Sequence, residues 1–550
     1  MKPFRLCKPY LKTQKYSLLT YVILTFSSVI ISILSPYIIG DFIDTLISEA
    51  SIRVIVRFCV IFGGLNVLRI MKNYITNYMN TKMQLEMSYS LNIDVIKHIQ
   101  SLSLSYSSQL DSAYLSQRIG GDTNNLISFC ISVFKNIITN TITIFVPFII
   151  LLTMNWFIAI LMLGFLGVYM ILYFAFKKHL YKAVHIYREC QAKFFAMLLD
   201  QIRYIKLIKL NSIQNEMINR ADDSYYKMKR SAIHNQKIGY LYNSADGIIS
   251  TVAQISLFVI GGIQVLAGNF TIGMFTIFTS YFNMMLGACR YFFSLGSAYQ
   301  NTLVAHDRIC EIFEQKPECN GVKIISNIEK IEFQNVVFSY TNSINTQVVQ
   351  GFNKSFSKGT IYGIVGENGA GKSTLINLLV GMYVDEYEGH IFINNINIRD
   401  INMTSVRRNL IGFSEQEPQL INETIAYNLC FGETLIDNMS NHIDTLNMKD
   451  FVSKHGFDYI LNEKNTNTSG GEKQKIAILK VLYKDPEVMI FDEPSSALDK
   501  STIEKFMMYL HKIKRDKMII IVTHDDVVKE FCDSVINIAT ISTNELTLSR

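Results

Sequence analysis

The residues best suited to chemistry are Gly366, Glu367, Asn368, Gly369, Ala370, Gly371, Lys372, Ser373 and Thr374, a glycine-rich run that ends in Gly-Lys-Ser-Thr. The apolar stretch Ile361 to Val365 leads into it, and Leu375-Ile376 opens a helical pattern after it. This is the setting of a phosphate-cradling P-loop, in which small residues let the backbone wrap a phosphate chain with N–H groups and a helix N-terminus aimed at it. Lys372 is then expected on the β- and γ-phosphates and the Ser373 hydroxyl on Mg²⁺. A plain glycine turn would explain Gly366, Gly369 and Gly371, but not the Lys-Ser-Thr that follows.

Downstream, the hydrophobic run Glu487 to Asp492 ends in the carboxylates of Asp492 and Glu493. A carboxylate at the carboxyl end of a strand beside a P-loop is where Mg²⁺ takes an anionic partner, the role expected of Asp492. Glu493 is expected to polarise an attacking water, a general-base task that needs a carboxylate near the γ-phosphate but off the metal. Between these two patches, Thr468-Ser469-Gly470-Gly471-Glu472 precedes a helix reading Lys473 to Tyr483.

These residues need a scaffold, and the chain offers two of different character. It has 550 residues, of which 49% are hydrophobic and only 18% charged, with a mean hydropathy of +0.21, a membrane composition. Stretches suited to spanning lie at Tyr16 to Ile39, Val54 to Ile75, Ile131 to Trp156, Phe157 to Phe176, Gly247 to Ala267 and Thr271 to Phe293. Three connections are read as short outer loops: Gly40 to Arg53, a tight join at Asn155-Trp156, and Gly268-Asn269-Phe270. The other two are long and basic. The first carries Lys72, Lys82, Lys97 and Arg118, and the second runs from Lys177 and Lys178 through Arg203, Lys206 and Lys209 to Arg230 and Lys237. The positive-inside rule puts both on the cytoplasmic side of a plasma membrane, together with both termini. Helical periodicity persists in these loops, as in Met83, Leu85, Met87, Leu91, Ile93 and Ile96, so the helices are expected to run on past the membrane.

The polar break Gln315-Lys316-Pro317-Glu318 ends this half. From Ile325 onward, short apolar runs such as Val488 to Phe491 and Met518 to Val522 alternate with helical patterns, as in an α/β domain. The expected division is a transmembrane domain at 1–314, a linker at 315–324 and a nucleotide-binding domain at 325–550. The nine cysteines are scattered without a C-x-x-C and read as free thiols. The net charge of +6 belongs to the loops, and no basic face interleaved with aromatics suggests nucleic acid.

With these motifs in order, the soluble half resembles the nucleotide-binding domain of ATP-binding cassette (ABC) transporters, and the membrane half resembles the six-helix domain of ABC exporters. The implied fold is an α-helical six-helix transmembrane domain followed by an α/β P-loop ATPase domain of ABC type. The resemblance implies that Ser469, Gly470, Gly471 and Glu472 form the signature that grips the γ-phosphate of ATP on a partner chain. It further implies that Tyr340 stacks on adenine, Gln416 contacts Mg²⁺ and the attacking water, Ser496 and Asp499 lie in a loop exchanged across a dimer, and His524 meets the γ-phosphate. Coupling segments are expected near Tyr106 to Ser112 and within Asp200 to Lys209. Tyr114 to Ile119 with Asp122, and Ala305 to Ile309, resemble family segments in the first loop and the linker. One copy of each half implies a second half-transporter, a homodimer in preference to a heterodimer, with membrane lipid and a transported substrate as the other partners.

The chain departs from the family pattern in two places. Thr468 and Glu472 replace the usual Leu and Gln of the signature, and Glu472 reads better as a helix cap than as an anion that weakens ATP. Leu461 to Asn467 lacks the glycine-and-glutamate loop that exporters turn towards their coupling helices. The function implied is ATP-driven export of a peptide or bacteriocin, drug or lipid, the alternative being a regulatory or channel-like protein gated by ATP. Only about fifteen residues precede the first span, so no leader-cleaving domain is expected there. Arg290, in the last span, reads as facing an anionic substrate or as snorkelling to the interface, the second preferred. Abundant Ile, Asn, Lys and Ser with only 8 Pro is associated with an AT-rich bacterial source.

Overall fold

The computed structural model describes residues 2–49, 51–107, 115–116, 118–340, 347–432, 439–461 and 469–538. The chain divides into two compact units, Met1–Lys97 with Ser112–Glu314, and His98–Asp111 with Gln315–Arg550.

The first unit is helical. Its long helices are α1 (Lys15–Glu49), α2 (Ile52–Gln100), α3 (Thr123–Met154), α4 (Trp156–Arg203), α5 (Gln214–Leu266) and α6 (Ile272–Phe313). Each is long and apolar enough to cross a membrane, which makes the protein multi-pass. With 53 residues, α5 is about 80 Å long at 1.5 Å per residue, against a hydrocarbon core of about 30 Å. Even its apolar face leaves room for a long polar extension. The second basic loop is interrupted only at Tyr204 and at Asn211 to Ile213, around the short helix Ile205–Leu210.

The joins differ in how sharply they turn. At Asn155 the backbone is extended (φ −157°, ψ 104°), and its side-chain oxygen accepts from Ile158 N, so one residue ends α3 and caps α4. The expected loop from Gly40 to Arg53 is instead helical to Glu49, with α2 beginning at Ile52. Gly40 was misleading because its missing side chain serves packing rather than a turn. A Cβ there would lie 2.7 Å from Gly273 O, and one on Gly273 would lie 2.1 Å from Gly40 O. The longer α1 brings Asp44 to the start of α6, where Oδ1 accepts from Gly273 N at 2.8 Å and Oδ2 from the Thr271 hydroxyl at 2.6 Å. A carboxylate at a helix N-terminus satisfies open N–H groups and complements the dipole.

Arg290 has an acidic partner within the helical unit. Its Nη2 lies 2.7 Å from Asp246 Oδ2, joining α6 to α5, so its charge is already met within the chain. The two loop segments singled out by resemblance also meet. Arg118 Nη1 donates to Arg308 O at 3.0 Å and Nη2 pairs with Glu311 at 3.1 Å, while Arg308 reaches Asp122 at 3.6 Å. Tyr114 and Gln117 lie outside the described residues.

In the second unit, a four-stranded antiparallel sheet is built from β1 (Lys330–Phe338), β2 (Val349–Ser357), β4 (Tyr387–Ile393) and β5 (Ile396–Asn397) in the order β2-β1-β4-β5. A five-stranded sheet has the order β6-β7-β8-β3-β9, with β3 at Ile361–Val365, β6 at Ile411–Ser414, β7 at Val488–Asp492, β8 at Met518–Val522 and β9 at Ser534–Asn537. Its pairings are all parallel. β7 and β8 are buried along their whole length, which is why they read as unbroken apolar runs rather than alternating ones. The flanking helices include α7 (Lys372–Leu379), α8 (Gly470–Lys484) and α9 (Lys500–Ile513).

The second unit also takes in the short helix Leu104–Ser107. Leu102 bridges to Pro317, Ser101 O accepts from Glu318 N at 2.7 Å, and the Ser105 hydroxyl bonds to Glu386. The remainder of the expected first coupling segment, Ser108 to Ser112, lies outside the described residues.

Candidate nucleotide site

The parallel order of the second sheet sets the site. β6, β7, β8 and β3 are neighbours running the same way, so Gln416, Asp492-Glu493, His524 and the P-loop all follow carboxyl ends at one edge. That edge is where open α/β sheets bind ligands.

The P-loop turns through glycines that other residues would strain. Gly369 has φ +86° and Gly371 φ +93°, and a Cβ on Gly371 would stand 2.9 Å from Val348 O. Gly371 then caps α7, which begins with Lys372. Only 8% exposed, Lys372 donates from Nζ to Gly366 O at 2.7 Å and Glu367 O at 3.2 Å, and lies 2.7 Å from His524 Nε2. His524 Nε2 is in turn 3.3 Å from Glu493 Oε1, and Gln416 Nε2 donates to Glu493 Oε2 at 2.8 Å. Four residues separated by up to 152 positions thus form one chain of polar contacts. The contact with an ammonium requires an unprotonated Nε2 on His524, and in that state the ring nitrogen cannot also donate to Glu493.

Asp492 sits beneath this chain. Burial raises its carboxyl to about 6, aided by the charges of Glu493 and Glu415, while Lys372 and a hydrogen bond from Ser373 pull the other way. The folded state therefore holds this proton more tightly than the unfolded state, and its ionisation costs stability as pH rises between about 4 and about 6. Asp492→Asn should remove that cost. In thermal denaturation of the detergent-solubilised chain without nucleotide, the variant gains on wild type across this window by up to about 3 kcal/mol and by nothing further above it. Parallel pH curves for the two proteins would refute the assignment.

Tyr340 lies two residues beyond β1. Its hydroxyl meets the Thr374 hydroxyl at 2.8 Å, and its ring packs edge-on against Phe338 and Tyr383. The ring is 37% exposed beside the P-loop helix. Glu367, Asn368 and Ala370 complete the loop between β3 and α7.

Ser469 caps α8 three residues earlier than the helix read from the sequence. Its hydroxyl accepts from Glu472 N at 3.2 Å while Glu472 Oε2 accepts from Ser469 N at 2.6 Å, a reciprocal capping box. Glu472 is thereby engaged at its own helix start. A Cβ on Gly470 would meet nothing within 4 Å, so the chain's own packing does not demand glycine there. Thr468 and Asn462 to Asn467 lie outside the described residues. Asp499 caps α9, and hydrogen bonds from the Ser501 and Thr502 hydroxyls, both at 2.5 Å, hold its carboxyl down to about 2. The Ser496 hydroxyl lies 3.1 Å from both Glu493 O and Gln474 Oε1, which share its one proton. Gln474 was not singled out in the sequence, since a polar residue inside a helix gives no signal of the contact it makes.

The sheet order and the loops at its edge define a P-loop nucleotide-binding domain, here on the same chain as the six membrane-length helices found among the described residues. A family model described as "ABC transporter transmembrane region" matches residues 18–289, and one described as "ABC transporter" matches residues 349–496. The chain belongs to the ABC transporter superfamily.

Among its relatives is ABC transporter B family member 1 of Dictyostelium discoideum, 29% identical over 395 residues, covering 70% of this chain and 43% of that protein. The chain thus spans less than half the length of that relative. Another is Lactococcin-G-processing and transport ATP-binding protein LagD of Lactococcus lactis subsp. lactis, 26% identical over 518 residues, covering 92% of this chain and 72% of the relative. A solved bacterial Atm1-family ABC exporter with ATP bound shares the fold, with a TM-score of 0.81 at 19% identity over 97% of this chain and 95% of that one.

Proposed function

We propose that the protein is an ATP-driven exporter in which two copies of this chain close on two ATP molecules and convert that closure into alternating access of the membrane half. The observation that carries this reading is the convergence of Lys372, His524, Glu493 and Gln416 at one sheet edge of a chain that also has six membrane-length helices. Lys372 and the P-loop N–H groups bind the phosphates, and Tyr340 offers an aromatic face for adenine. Glu493 takes the proton of the attacking water, and His524 and Gln416 hold it in place.

The donor set also fits Mg²⁺. Asp492, Glu493 and Glu415 gather negative charge that Lys372 alone offsets only in part, and Ser373 already bonds to Asp492. Ser373, Gln416 and Asp492 would hold the ion, which when bound neutralises charge on the phosphate oxygens. Ser469, Gly470 and Gly471 would face the partner's ATP, with Ser496 and Asp499 at the exchange between the two chains. The basic loops support a cytoplasmic position for both termini, and the composition suggests a bacterial plasma membrane.

The relatives' names span a Lactococcin-G-processing and transport protein, a putative multidrug exporter and a lipid A-core flippase, so peptides, drugs and lipids are the cargo classes to try. The test uses the full chain in inside-out vesicles with a cationic dye, a labelled phospholipid and an unstructured peptide as probes. ATP-dependent accumulation or flipping of one probe, with stimulated phosphate release, is expected. ATP-dependent conductance without movement of any probe would replace export by a gated channel.

A further inference from the structure

Gln474 lies on α8, two residues beyond Glu472, and is only 2% exposed. Its amide works at both ends, with Nε2 donating to Glu493 O at 2.8 Å and Oε1 accepting from the Ser496 hydroxyl at 3.1 Å. The carbonyl it holds belongs to a residue in an uncommon conformation. Glu493 has φ 48° and ψ 54°, in the left-handed region that a non-glycine residue occupies only when its surroundings fix it. The fixing groups can be named. Glu493 N donates to Val522 O at 2.9 Å, and Glu493 O receives Ser496 N at 3.2 Å as well as Gln474, with the one proton of Ser496 Oγ shared between Glu493 O and Gln474 Oε1. Val522 and Ser496 tie Glu493 to β8 and to its own turn, whereas Gln474 ties it to α8.

We propose that Gln474 is a positioning residue that couples the two composite ATP sites. The start of α8 carries Ser469, Gly470 and Gly471, which on the reading above engage ATP on the partner chain, while Glu493 serves ATP on this chain. A helix closed by a capping box moves as a body, so a shift of its N-terminus carries the Gln474 amide with it. That amide holds the peptide from which the Glu493 carboxylate projects. Engagement of one site therefore sets the base of the other, through one side chain and one backbone carbonyl.

This inference rests on the proposed function, and the experiment separates the two. The full chain is reconstituted in nanodiscs, and ATP turnover is measured against ATP concentration for wild type, Gln474→Met and Gln474→Glu. The methionine variant keeps the length and loses both hydrogen bonds, whereas the glutamate variant keeps the acceptor for Ser496 and loses the donor to Glu493. Both should lower kcat by about tenfold to a hundredfold with KM for ATP within about threefold, because geometry at the base is lost rather than nucleotide binding. The Hill coefficient should fall from above one towards one, and the melting temperature should stay within about 2 °C of wild type, which a merely structural role would not produce.

The inference is overturned if kcat stays within about twofold, if KM rises in step with the loss of kcat, or if the Hill coefficient is one in wild type or unmoved in the variants. Should the methionine variant fail to fold, the glutamate variant carries the same comparison. Absence of ATP turnover in wild type would count instead against the proposed function.

Discussion

Glu493→Gln should retain ATP binding and lose turnover by at least about a hundredfold to ten-thousandfold, the range of a lost general base. The substitution is nearly isosteric. The amide oxygen can still accept from Gln416 Nε2, which now sits 2.8 Å from Oε2, and the backbone ties to Val522 and Ser496 do not depend on the side chain's charge. What disappears is the capacity to take a proton from water. Phosphate release at saturating ATP should fall to near background, while a filter assay finds ATP retained on the protein, held longer than in wild type because the step that ends the closed state is gone. Turnover equal to wild type would show that the base lies elsewhere.

Lys372→Ala should act earlier, raising the Kd for ATP by about a hundredfold, the equivalent of about 3 kcal/mol for a charge-assisted hydrogen bond to phosphate. The ammonium is almost fully buried and already supported by Gly366 O and Glu367 O, so it needs little reorganisation to meet a phosphate. Its loss also removes the positive charge that holds down the Asp492 carboxyl, which should rise further above its present value of about 6. Equilibrium binding of a fluorescent ATP analogue to the full chain provides the measurement. A Kd within about threefold of wild type would mean that the P-loop backbone alone supplies the affinity. The two variants are therefore distinguishable, since one binds without turnover and the other fails to bind.

Much of the nucleotide site could be read before any coordinates because its parts are local. A P-loop needs its glycines and lysine within nine positions, and β7 and β8 announce themselves by being buried on both faces. The six spans were legible for a similar reason, since twenty apolar residues in a row have few other uses. What stayed hidden depends on partners distant in sequence. Gly40 looked like the end of a helix until Gly273 was found against it, 233 positions on by their numbering. Arg290 looked like a charge seeking a ligand or the interface, because nothing in the sequence pairs it with Asp246. Gln474 is buried only because Glu493 and Ser496 come to it. The grouping of Leu104–Ser107 with the second unit likewise rests on bonds to Pro317, Glu318 and Glu386 that no periodicity could foretell.

The meeting of Gly40 with Gly273 has a mechanical consequence. With no side chain between the two backbones and Asp44 fastened to the start of α6, the adjoining ends of the first and last spans have nowhere to slide. Such a contact works as a fulcrum. From Gly273 to Phe313 the last helix extends about 60 Å, so a tilt of only about 5° around the fulcrum sweeps its far end through about 5 Å. Leverage of this kind lets a small rotation at the contact correspond to a wide excursion at the other end of the helix, and the reverse. Two of the smallest residues in the spans thereby set how far the other ends of the first and last helices swing.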